Sequence, residues 1–502
     1  MDVSLLIGSP EDLDVTALLA IADGRRVELE DGLLQAIAAG RQRALDTLNA
    51  DESVYGVNTG MGAASEIRLD NAAHLIQQDN LMLARAVGSA PWLDRCECRA
   101  AVAARLRSFL NGEAGVSPGL CVRLTEILNR DLQPAIPRGR LGAAGEIIPL
   151  AHLGGALTGS GEFLGADGAV PAPGALEGAG LEFFRLGPKE GVALIEGVPV
   201  TTALAILRVR AARGVAEQTV AVLAAGLALI GVNREPFEAD VARSNPELGV
   251  VLGAVRRLVG TDPHPRSLQA PLSFRIAGPA VAHLLRSIDA LERAVDRALD
   301  GVTDSPAFLG GRFVGTAGFD GFDLAASLDG LRLSLIHCAE ASAARLHRLL
   351  DERVTGLPRQ LSGRPGLHGG MVAVHKRAVG VTHALVGAAR PVSIGVSETS
   401  LGQEDVQSFS VEAAVACGDA IDAVRDVLAC ELLAVNQAIH LIPGAPSAWG
   451  AELQALLAAV GGLLPEGTAD RPFGREVAKL SGLLATGWAE GLLVAFPSNP
   501  GE

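Results

Sequence analysis

Long stretches with helical periodicity fill the chain beyond about residue 190. Between Pro279 and Asp300, apolar residues recur every three or four positions and charged residues occupy the positions between them. Pro279 stands near the start of this pattern and Gly301 directly after its end, where the residues that begin and end a helix are expected. The pattern returns over residues 324–354 and 411–441. Helices of this length, joined by short loops, predict a mainly α-helical bundle.

The N-terminal part of the chain has a different pattern. Up to about residue 190 it mixes short helical stretches with loops rich in Gly and Pro, such as Val170–Gly174. We therefore predict two parts: residues 1–190, smaller and mixed, and residues 191–502, a central and C-terminal helical bundle. Aromatic residues make up only 3% of the chain. The apolar stripes consist mainly of Ala, Gly and Leu, which lets helix backbones approach closely.

Composition excludes several classes of function. Apolar residues are 49% and charged residues 20% of the 502 residues, which is typical of a globular protein. The net charge of −15 argues against binding to nucleic acid, because a phosphate backbone attracts clustered Lys and Arg. The longest apolar run, residues 219–232, is shorter than the ~20 residues that span a membrane. No secretory signal is visible and the six cysteines show no zinc pattern, so we expect a cytoplasmic protein without a metal site.

Two segments carry the most specific chemical signals. The first, Val54–Gly62, contains Tyr55, the one tyrosine of the chain. The second, Leu141–His152, contains Ala143, Ala144 and Gly145. The chain contains seven further notable segments, which are, in chain order, Gln133–Pro137, Lys189–Ile195, Ser273–Arg275, Leu349–Asp351, Gly356–Pro358, Pro365–Leu367 and Thr399–Asp405.

In this order and with this spacing, the segments resemble the aromatic amino acid ammonia-lyase family, which includes histidine, phenylalanine and tyrosine ammonia-lyases and related aminomutases. The resemblance runs from about residue 50 to about residue 440. It implies a long-helix bundle of the ammonia-lyase (fumarase/aspartase-like) type. It also implies a homotetramer whose active sites are shared between subunits, acting on a small amino-acid-derived substrate.

Departures from the family pattern concentrate in the implied site. In the family, the second segment carries Ala-Ser-Gly, which cyclises into the electrophile methylidene-imidazolone. Here Ala144 replaces the Ser, and alanine has no hydroxyl to eliminate, so we predict that this prosthetic group is absent. Five further positions also differ from the family: Glu146 replaces Asp, Glu196 replaces Asn, Leu272 replaces Tyr, Arg85 replaces His and Val406 replaces His. Together they favour a naturally diverged member over a single laboratory change.

The resemblance assigns roles to the residues that remain. Tyr55 is the predicted base, but its ordinary pKa near 10 is too high at neutral pH unless a cation such as Arg85 or Arg275 lowers it. Arg275 is the predicted anchor for a substrate carboxylate, which a guanidinium can hold through two hydrogen bonds. Glu196 and Glu404 could divide acid and base roles. Arg85 also belongs to the predicted substrate-binding set, which is completed by Asn58, Leu272, Phe319 and Gln403.

These assignments leave three hypotheses open. The first is an enzyme that works without the electrophile and catalyses elimination, isomerisation or cyclisation with Tyr55 as base. The second is a non-catalytic ligand-binding or regulatory homologue. Structural roles also stay open for two residues: Tyr55 as a buried hydroxyl, and Glu196 in a salt bridge with Arg85 or another basic residue. The third is an aromatic amino acid ammonia-lyase or aminomutase inactivated by a Ser→Ala change. The added charges at Arg85 and Glu196 suggest a more charged pocket than an aromatic amino acid requires.

Overall fold

Helices dominate the structure, a computed structural model that describes residues 4–48, 53–142, 144–260, 265–395, 397–442 and 449–493. The predicted mainly α-helical class is confirmed. Over the described residues the α-helices are α1 (Val15–Ala22), α2 (Asp31–Thr47), α3 (Asn71–Arg85), α4 (Arg95–Leu110), α5 (Pro118–Asn129), α6 (Ile147–Thr158), α7 (Ala172–Gly178), α8 (Glu190–Ile195), α9 (Pro199–Ile230), α10 (Pro246–Val259), α11 (Leu272–Arg275), α12 (Ala277–Asp300), α13 (Phe322–Leu349), α14 (Glu352–Thr355), α15 (Val372–Gly387), α16 (Ser410–Ile439), α17 (Ala451–Leu463) and α18 (Phe473–Ala485).

Short strands form three two-stranded sheets. Strands β1 (Leu5–Ile7) and β2 (Val27–Leu29) pair in parallel. Two antiparallel pairs follow, and they are β3 (Glu162–Gly165) with β4 (Gly168–Pro171), and β5 (Ala307–Leu309) with β6 (Arg312–Val314). These small sheets hold loops in place, whereas the core is helical.

The helix predicted from Pro279 to Asp300 is α12, and its apolar stripe is buried. Leu284, Ile288 and Leu291 are fully buried, so the 3–4-residue periodicity marks the core-facing side. The patterns over 324–354 and 411–441 correspond to α13 and α16. Among the described residues, one helical stretch, Glu190–Ile230, is long and apolar enough to cross a membrane. Its most apolar window is completely buried within the protein, as expected of a core helix.

The chain divides into two compact units that do not coincide with the predicted parts. The first unit comprises Met1–Arg208, Leu291–Asp329 and Pro391–Ala416. The second comprises Val209–Ala290, Gly330–Arg390 and Cys417–Glu502. Helices α9, α12, α13 and α16 each contribute residues to both units. Because apolar periodicity continues along a helix, the sequence carries no signal where the division falls.

In the first unit, helices α3, α6 and α8 pack against one another, and α1 packs on α4. Helix α6 begins directly after Gly145 and Glu146, so this packing fixes the segment that contains Ala144. Helix α8 ends at Ile195, and Glu196 follows it in extended conformation. The three-helix contact thus determines where Ala144 and Glu196 lie.

The second unit contains a completely buried ion pair. Arg345 of α13 donates from Nε and Nη2 to the two oxygens of Glu431 in α16, each at 2.8 Å. The hydroxyl of Ser342 donates to Glu431 Oε2 at 2.6 Å. Neither charged side chain is exposed to solvent. Both oxygens of the carboxylate therefore have donors within the chain.

Candidate active site

The Tyr55 loop is closed by hydrogen bonds within the segment. The backbone N–H of Gly62 donates to the phenol oxygen of Tyr55 at 2.8 Å. The side chain of Asn58 accepts from the backbone N–H of Val54 at 2.7 Å. Asn58 therefore shapes the loop, and its predicted contact with a substrate stays a prediction. The Tyr55 ring is 38% exposed, which leaves one side open.

Tyr55 lines three cavities of the first unit, and two of them are also lined by Glu404. The first, here the Glu196 cavity, has a volume of about 450 Å³. The second, here the Arg85 cavity, has a volume of about 420 Å³. Tyr55, Ile147 and Glu404 line both of them. The Glu196 cavity also contains the predicted site residues Ala144, Glu196, Phe319 and Gln403, together with Val406.

Glu404 joins the loop after Thr399 to the Ala144 segment. Its Oε2 accepts from the backbone N–H of Ala144 at 3.2 Å and from the hydroxyl of Thr399 at 2.8 Å. Its Oε1 accepts from the hydroxyl of Ser400 at 2.9 Å. Three donors therefore hold this carboxylate at the junction of the two cavities.

The Ala143-Ala144-Gly145 segment is only partly described. Ala143 lies outside the described residues, whereas Ala144 lines the Glu196 cavity. Gly145 has φ +71°, and a Cβ there would lie 2.8 Å from the carbonyl oxygen of Phe319. Glycine is required at this position for both reasons. The close approach places Phe319 beside the Ala144 segment.

Glu196 is a buried acid at the wall of the Glu196 cavity. Its side chain is 7% exposed, and no residue in the described part of the chain donates a hydrogen bond to its carboxyl group. Burial, followed by the negative charge of Asp304, raises the pKa of Glu196 to about 8. Lys189 and Arg105 act in the opposite direction without cancelling the shift. At neutral pH Glu196 therefore carries a proton it can donate.

Three residues that the sequence did not assign to the site influence Glu196, through its backbone or through their charges. Lys189 Nζ lies 2.5 Å from Asp304 Oδ2 in a buried ion pair. Arg105 donates to the carbonyl oxygens of Ala193, at 3.1 Å, and of Glu196. Burial lowers the pKa of Arg105 to about 10, which leaves it charged at neutral pH. The only sequence signal was Lys189 itself, which begins a segment of the family resemblance.

Glu146, one of the departures from the family pattern, caps a helix. Its carboxylate oxygens accept from the backbone N–H groups of Val200, at 2.7 Å, and Thr201, at 2.6 Å, in the first turn of α9. Burial raises its pKa to about 7, although these bonds act in the opposite direction. A carboxylate at a helix N-terminus satisfies free N–H groups and complements the helix dipole.

Arg85 acts on the pKa of Tyr55 in the expected direction, but the net shift of that pKa is upward. Burial raises the pKa of the phenol, and Glu196 and Glu404 raise it further. The Gly62 N–H and Arg85 lower it, but by less. Sequence reasoning considered the nearby cation without the two carboxyl groups and the burial. Tyr55 is thus a neutral phenol in the free site.

Arg85 and Glu196 do not form the ion pair that was considered. Arg85 lines the Arg85 cavity, and the contact of its Nη2 is with Met61 Sδ at 3.9 Å. Burial lowers its pKa, whereas the charges of Tyr55, Glu196 and Glu404 raise it. Over the described residues, the two side chains influence each other only through space.

Leu272 and Arg275 belong to the second unit. Both lie in α11, where Leu272 is 57% exposed and Arg275 Nε donates to the carbonyl oxygen of Ala270 at 2.9 Å. Neither residue lines the Glu196 cavity or the Arg85 cavity. Their predicted substrate-binding roles stay predictions.

Comparison with known proteins places this site in a family. Residues 13–461 match the model of the aromatic amino acid lyases. The chain belongs to the aromatic amino acid lyase family. It is 32% identical to the histidine ammonia-lyase of Gloeobacter violaceus over 492 residues, which cover 95% of each chain.

Solved structures of the family share the fold. Tyrosine aminomutase from Streptomyces globisporus has 25% identity and a TM-score of 0.90, with 98% of each chain covered. Histidine ammonia-lyase from Trypanosoma cruzi has 23% identity and a TM-score of 0.86, covering 98% of this chain and 95% of that one. The helical fold of this family, predicted from the motifs, is confirmed.

Proposed function

We propose that this protein is an ammonia-lyase-like enzyme that lacks the methylidene-imidazolone electrophile and acts by acid–base chemistry on an amino-acid-derived carboxylate. The observation that carries the proposal is the Glu196 cavity, where Tyr55, Glu196 and Glu404 surround Ala144. Three proton-handling groups are present, whereas the residue that would supply the electrophile is an alanine.

The residues around Ala144 do not fit the family's prosthetic group. Alanine carries no hydroxyl group whose loss could create the double bond. In addition, the backbone N–H of Ala144 is used as a donor to Glu404. We therefore assign no step of the reaction to the electrophile. Without it, the leaving group must be stabilised by other means, since an unactivated amine leaves poorly.

Glu196 is suited to protonate the leaving group. In an elimination, the phenol of Tyr55 first gives its proton to solvent and the phenolate then takes the proton from carbon. The bond to the leaving group breaks, and that group receives the proton of Glu196. Isomerisation or cyclisation would return a nucleophile to the same carbon skeleton. Glu404 accepts three hydrogen bonds and lies where it can orient a donor group of the substrate.

Because the pKa of Tyr55 is raised, the bound substrate must lower it before Tyr55 can act as a base. A positive group of the substrate, bound between Tyr55 and the two glutamates, would offset the effect of their charges on the phenol. Arg85 lines the adjoining cavity and can hold the substrate carboxylate. We also propose a homotetramer, in which Arg275 of a second copy of the chain could contribute to the site.

Turnover measured by mass spectrometry tests the proposal. The wild-type protein and Tyr55→Phe are incubated with α- and β-amino acids and with hydroxylated or N-modified derivatives. A product that forms with the wild type and falls by about 10²–10⁴-fold in Tyr55→Phe supports the base role. Unchanged turnover in Tyr55→Phe contradicts it. Circular dichroism and light scattering on both proteins control for folding and for the proposed tetramer.

A non-catalytic binding role is the second candidate. It is favoured by the neutral state of Tyr55 and by the departures at Arg85 and Glu196. It predicts ligand binding without any mass change across the whole panel. A Tyr55-dependent product from any panel member rejects it.

A further inference from the structure

Acidic residues dominate the wall of the Glu196 cavity. Four carboxylic acids line it, Glu196, Asp320, Glu404 and Asp405, and the lining contains no Lys, Arg or His. None of the four forms an ion pair with a residue in the described ranges. In most of the chain, buried acids have a basic partner, as Asp304 does. The cavity therefore groups four acidic side chains, of which Glu196 is protonated at neutral pH, and the described chain supplies no basic residue to its lining.

Glu196 gives the strongest indication of a missing partner. It is more than nine-tenths buried, it lines the cavity, and no described residue donates to its carboxyl group. The carboxyl oxygens of Glu196 are not among the fully buried atoms that lack a partner, so they are exposed to the cavity, where a ligand can reach them.

The other acids of the cavity bind only neutral donors. Glu404 accepts from one amide and two hydroxyl groups, and Asp320 accepts from the backbone N–H of Phe322 at 3.1 Å. Asp405 is exposed, with no hydrogen bond or ion pair to the described chain. Neutral donors orient a carboxylate but do not cancel its charge.

Nearby cations are already engaged or lie in adjoining cavities, and these include Arg312, which lines a third cavity that shares Tyr55 and Ser305 with the Glu196 cavity. Lys189 is held by Asp304, and the Nη groups of Arg105 are directed at carbonyl oxygens. Arg85 lines the Arg85 cavity, on the other side of Tyr55 and Glu404. One end of the site therefore carries a guanidinium, and the other end carries four acids.

We infer that the Glu196 cavity binds the positively charged side chain of a basic amino-acid substrate, an ammonium or guanidinium group, while Arg85 faces the substrate carboxylate. This inference rests on the proposed function, because it names the substrate class of the same site. Its geometry places Tyr55 and Glu404 beside the carbon atoms between the two charged ends. A volume of about 450 Å³ accommodates such a side chain.

Binding calorimetry on the purified full-length protein tests the inference without requiring turnover. The ligands form two pairs that differ mainly in charge, L-arginine with L-citrulline and L-lysine with L-norleucine, and L-phenylalanine is added. We expect at least one cationic member to bind about tenfold or more tightly than its neutral partner and than phenylalanine. Failure of both cationic ligands to bind, or equal affinity within both pairs, overturns the inference. So does a preference for phenylalanine.

Two charge-removing variants test whether the preference for the cationic ligand arises in the Glu196 cavity. Asp405→Asn, at the wall of the cavity, should weaken the cationic ligand about threefold and leave its neutral partner unchanged. Asp240→Asn removes an exposed charge of the second unit and should change neither. Equal effects of both variants would show that only overall charge matters, which overturns the assignment to this cavity.

The outcomes separate this inference from the proposed function. A cationic ligand that binds in the cavity but is never transformed, while no other compound is turned over, contradicts the proposed function alone. Tyr55-dependent turnover of a neutral compound, without preference for the cationic ligands, contradicts this inference alone.

Discussion

Two buried glutamates, one in each unit, carry the same side chain in opposite surroundings. Glu431 has both oxygens bonded by Arg345 and by the hydroxyl of Ser342, and all of these donors belong to the second unit. Glu196 is almost as buried, yet no described residue bonds its carboxyl group. The oxygens of Glu431 are bonded by donors of the same chain, whereas the carboxyl group of Glu196 lines a cavity.

The difference separates a structural charge from a functional one. A buried ion pair needs good geometry and further hydrogen bonds to offset the desolvation of both ions, and Glu431 has both. Glu196 has neither, so its pKa rises to about 8 and it becomes a neutral acid. Strongly shifted acids in cavities are typical of functional sites. The comparison therefore supports Glu196 as a group whose partner comes from outside the chain.

The largest expected effect comes from the same substitution at the two positions. Glu431→Gln leaves Arg345 buried without its counter-ion and should lower the free energy of unfolding by about 3–5 kcal/mol. Glu196→Gln removes a carboxyl that lacks partners, and we expect no loss of stability at neutral pH. Denaturant unfolding at matched protein concentration measures both. Equal destabilisation by the two substitutions would remove the distinction between the two acids.

The pH dependence of stability sharpens the comparison. The pKa of Glu196 rises from 4.5 to about 8 on folding, so the folded protein binds its proton more tightly than the unfolded chain does. The contribution of Glu196 to the free energy of unfolding therefore falls as the pH rises from about 4.5 to about 8. Glu196→Gln cannot lose a proton. Its stability relative to the wild type should rise by about 1–3 kcal/mol between roughly pH 5 and pH 9.

Thermal unfolding of wild type and Glu196→Gln across this pH range provides the measurement. Glu177→Gln, which changes an exposed carboxyl of α7, is the matched control and should follow the wild-type curve. A stability difference between Glu196→Gln and wild type that is constant with pH, or that falls as pH rises, would show that Glu196 does not keep its proton in the folded protein.

Glu146 lies between these extremes, and its effect should be smaller. It has no ionic partner at hydrogen-bonding distance within the described chain, but two amide N–H groups of α9 satisfy its oxygens. Glu146→Gln keeps the volume and removes the charge that complements the helix N-terminus. We expect a loss of about 1–2 kcal/mol in denaturant unfolding. A change as small as that of Glu177→Gln would mean that the carboxylate does not stabilise α9.

Sequence reasoning reached the fold because its signals are local or belong to the family. Apolar periodicity marked α12 within two residues of its observed start, and the ordered motifs indicated the family. The same motifs brought Tyr55, Ala144, Phe319 and Glu404 into one predicted site, and the structure places all four around one cavity. Their chemical roles are not tested by this proximity.

The electrostatics of the site depend on contacts between distant segments, which the sequence does not reveal. Lys189 and Asp304, which act on Glu196 in opposite directions, are 115 positions apart in the chain. Burial of Tyr55 likewise depends on how the loop packs. The lowering effect of Arg85 on the pKa of Tyr55 was therefore anticipated, but the net upward shift was not.

The smallest expected effect is that of Ala144→Ser. The new hydroxyl would face the Glu196 cavity, and the backbone N–H at this position would still donate to Glu404. In this variant, Glu146 and Glu196 would still differ from the family pattern. We expect stability within about 0.5 kcal/mol of the wild type, no new ultraviolet absorbance and no deamination of aromatic amino acids. Absorbance spectra and a deamination assay on freshly purified protein measure the chemistry. A new absorbance band together with an unsaturated acid product would mean that the single alanine, and not the charged cavity, sets this chain apart from its relatives. The same result would favour a lyase inactivated at one position over an enzyme that works without the electrophile.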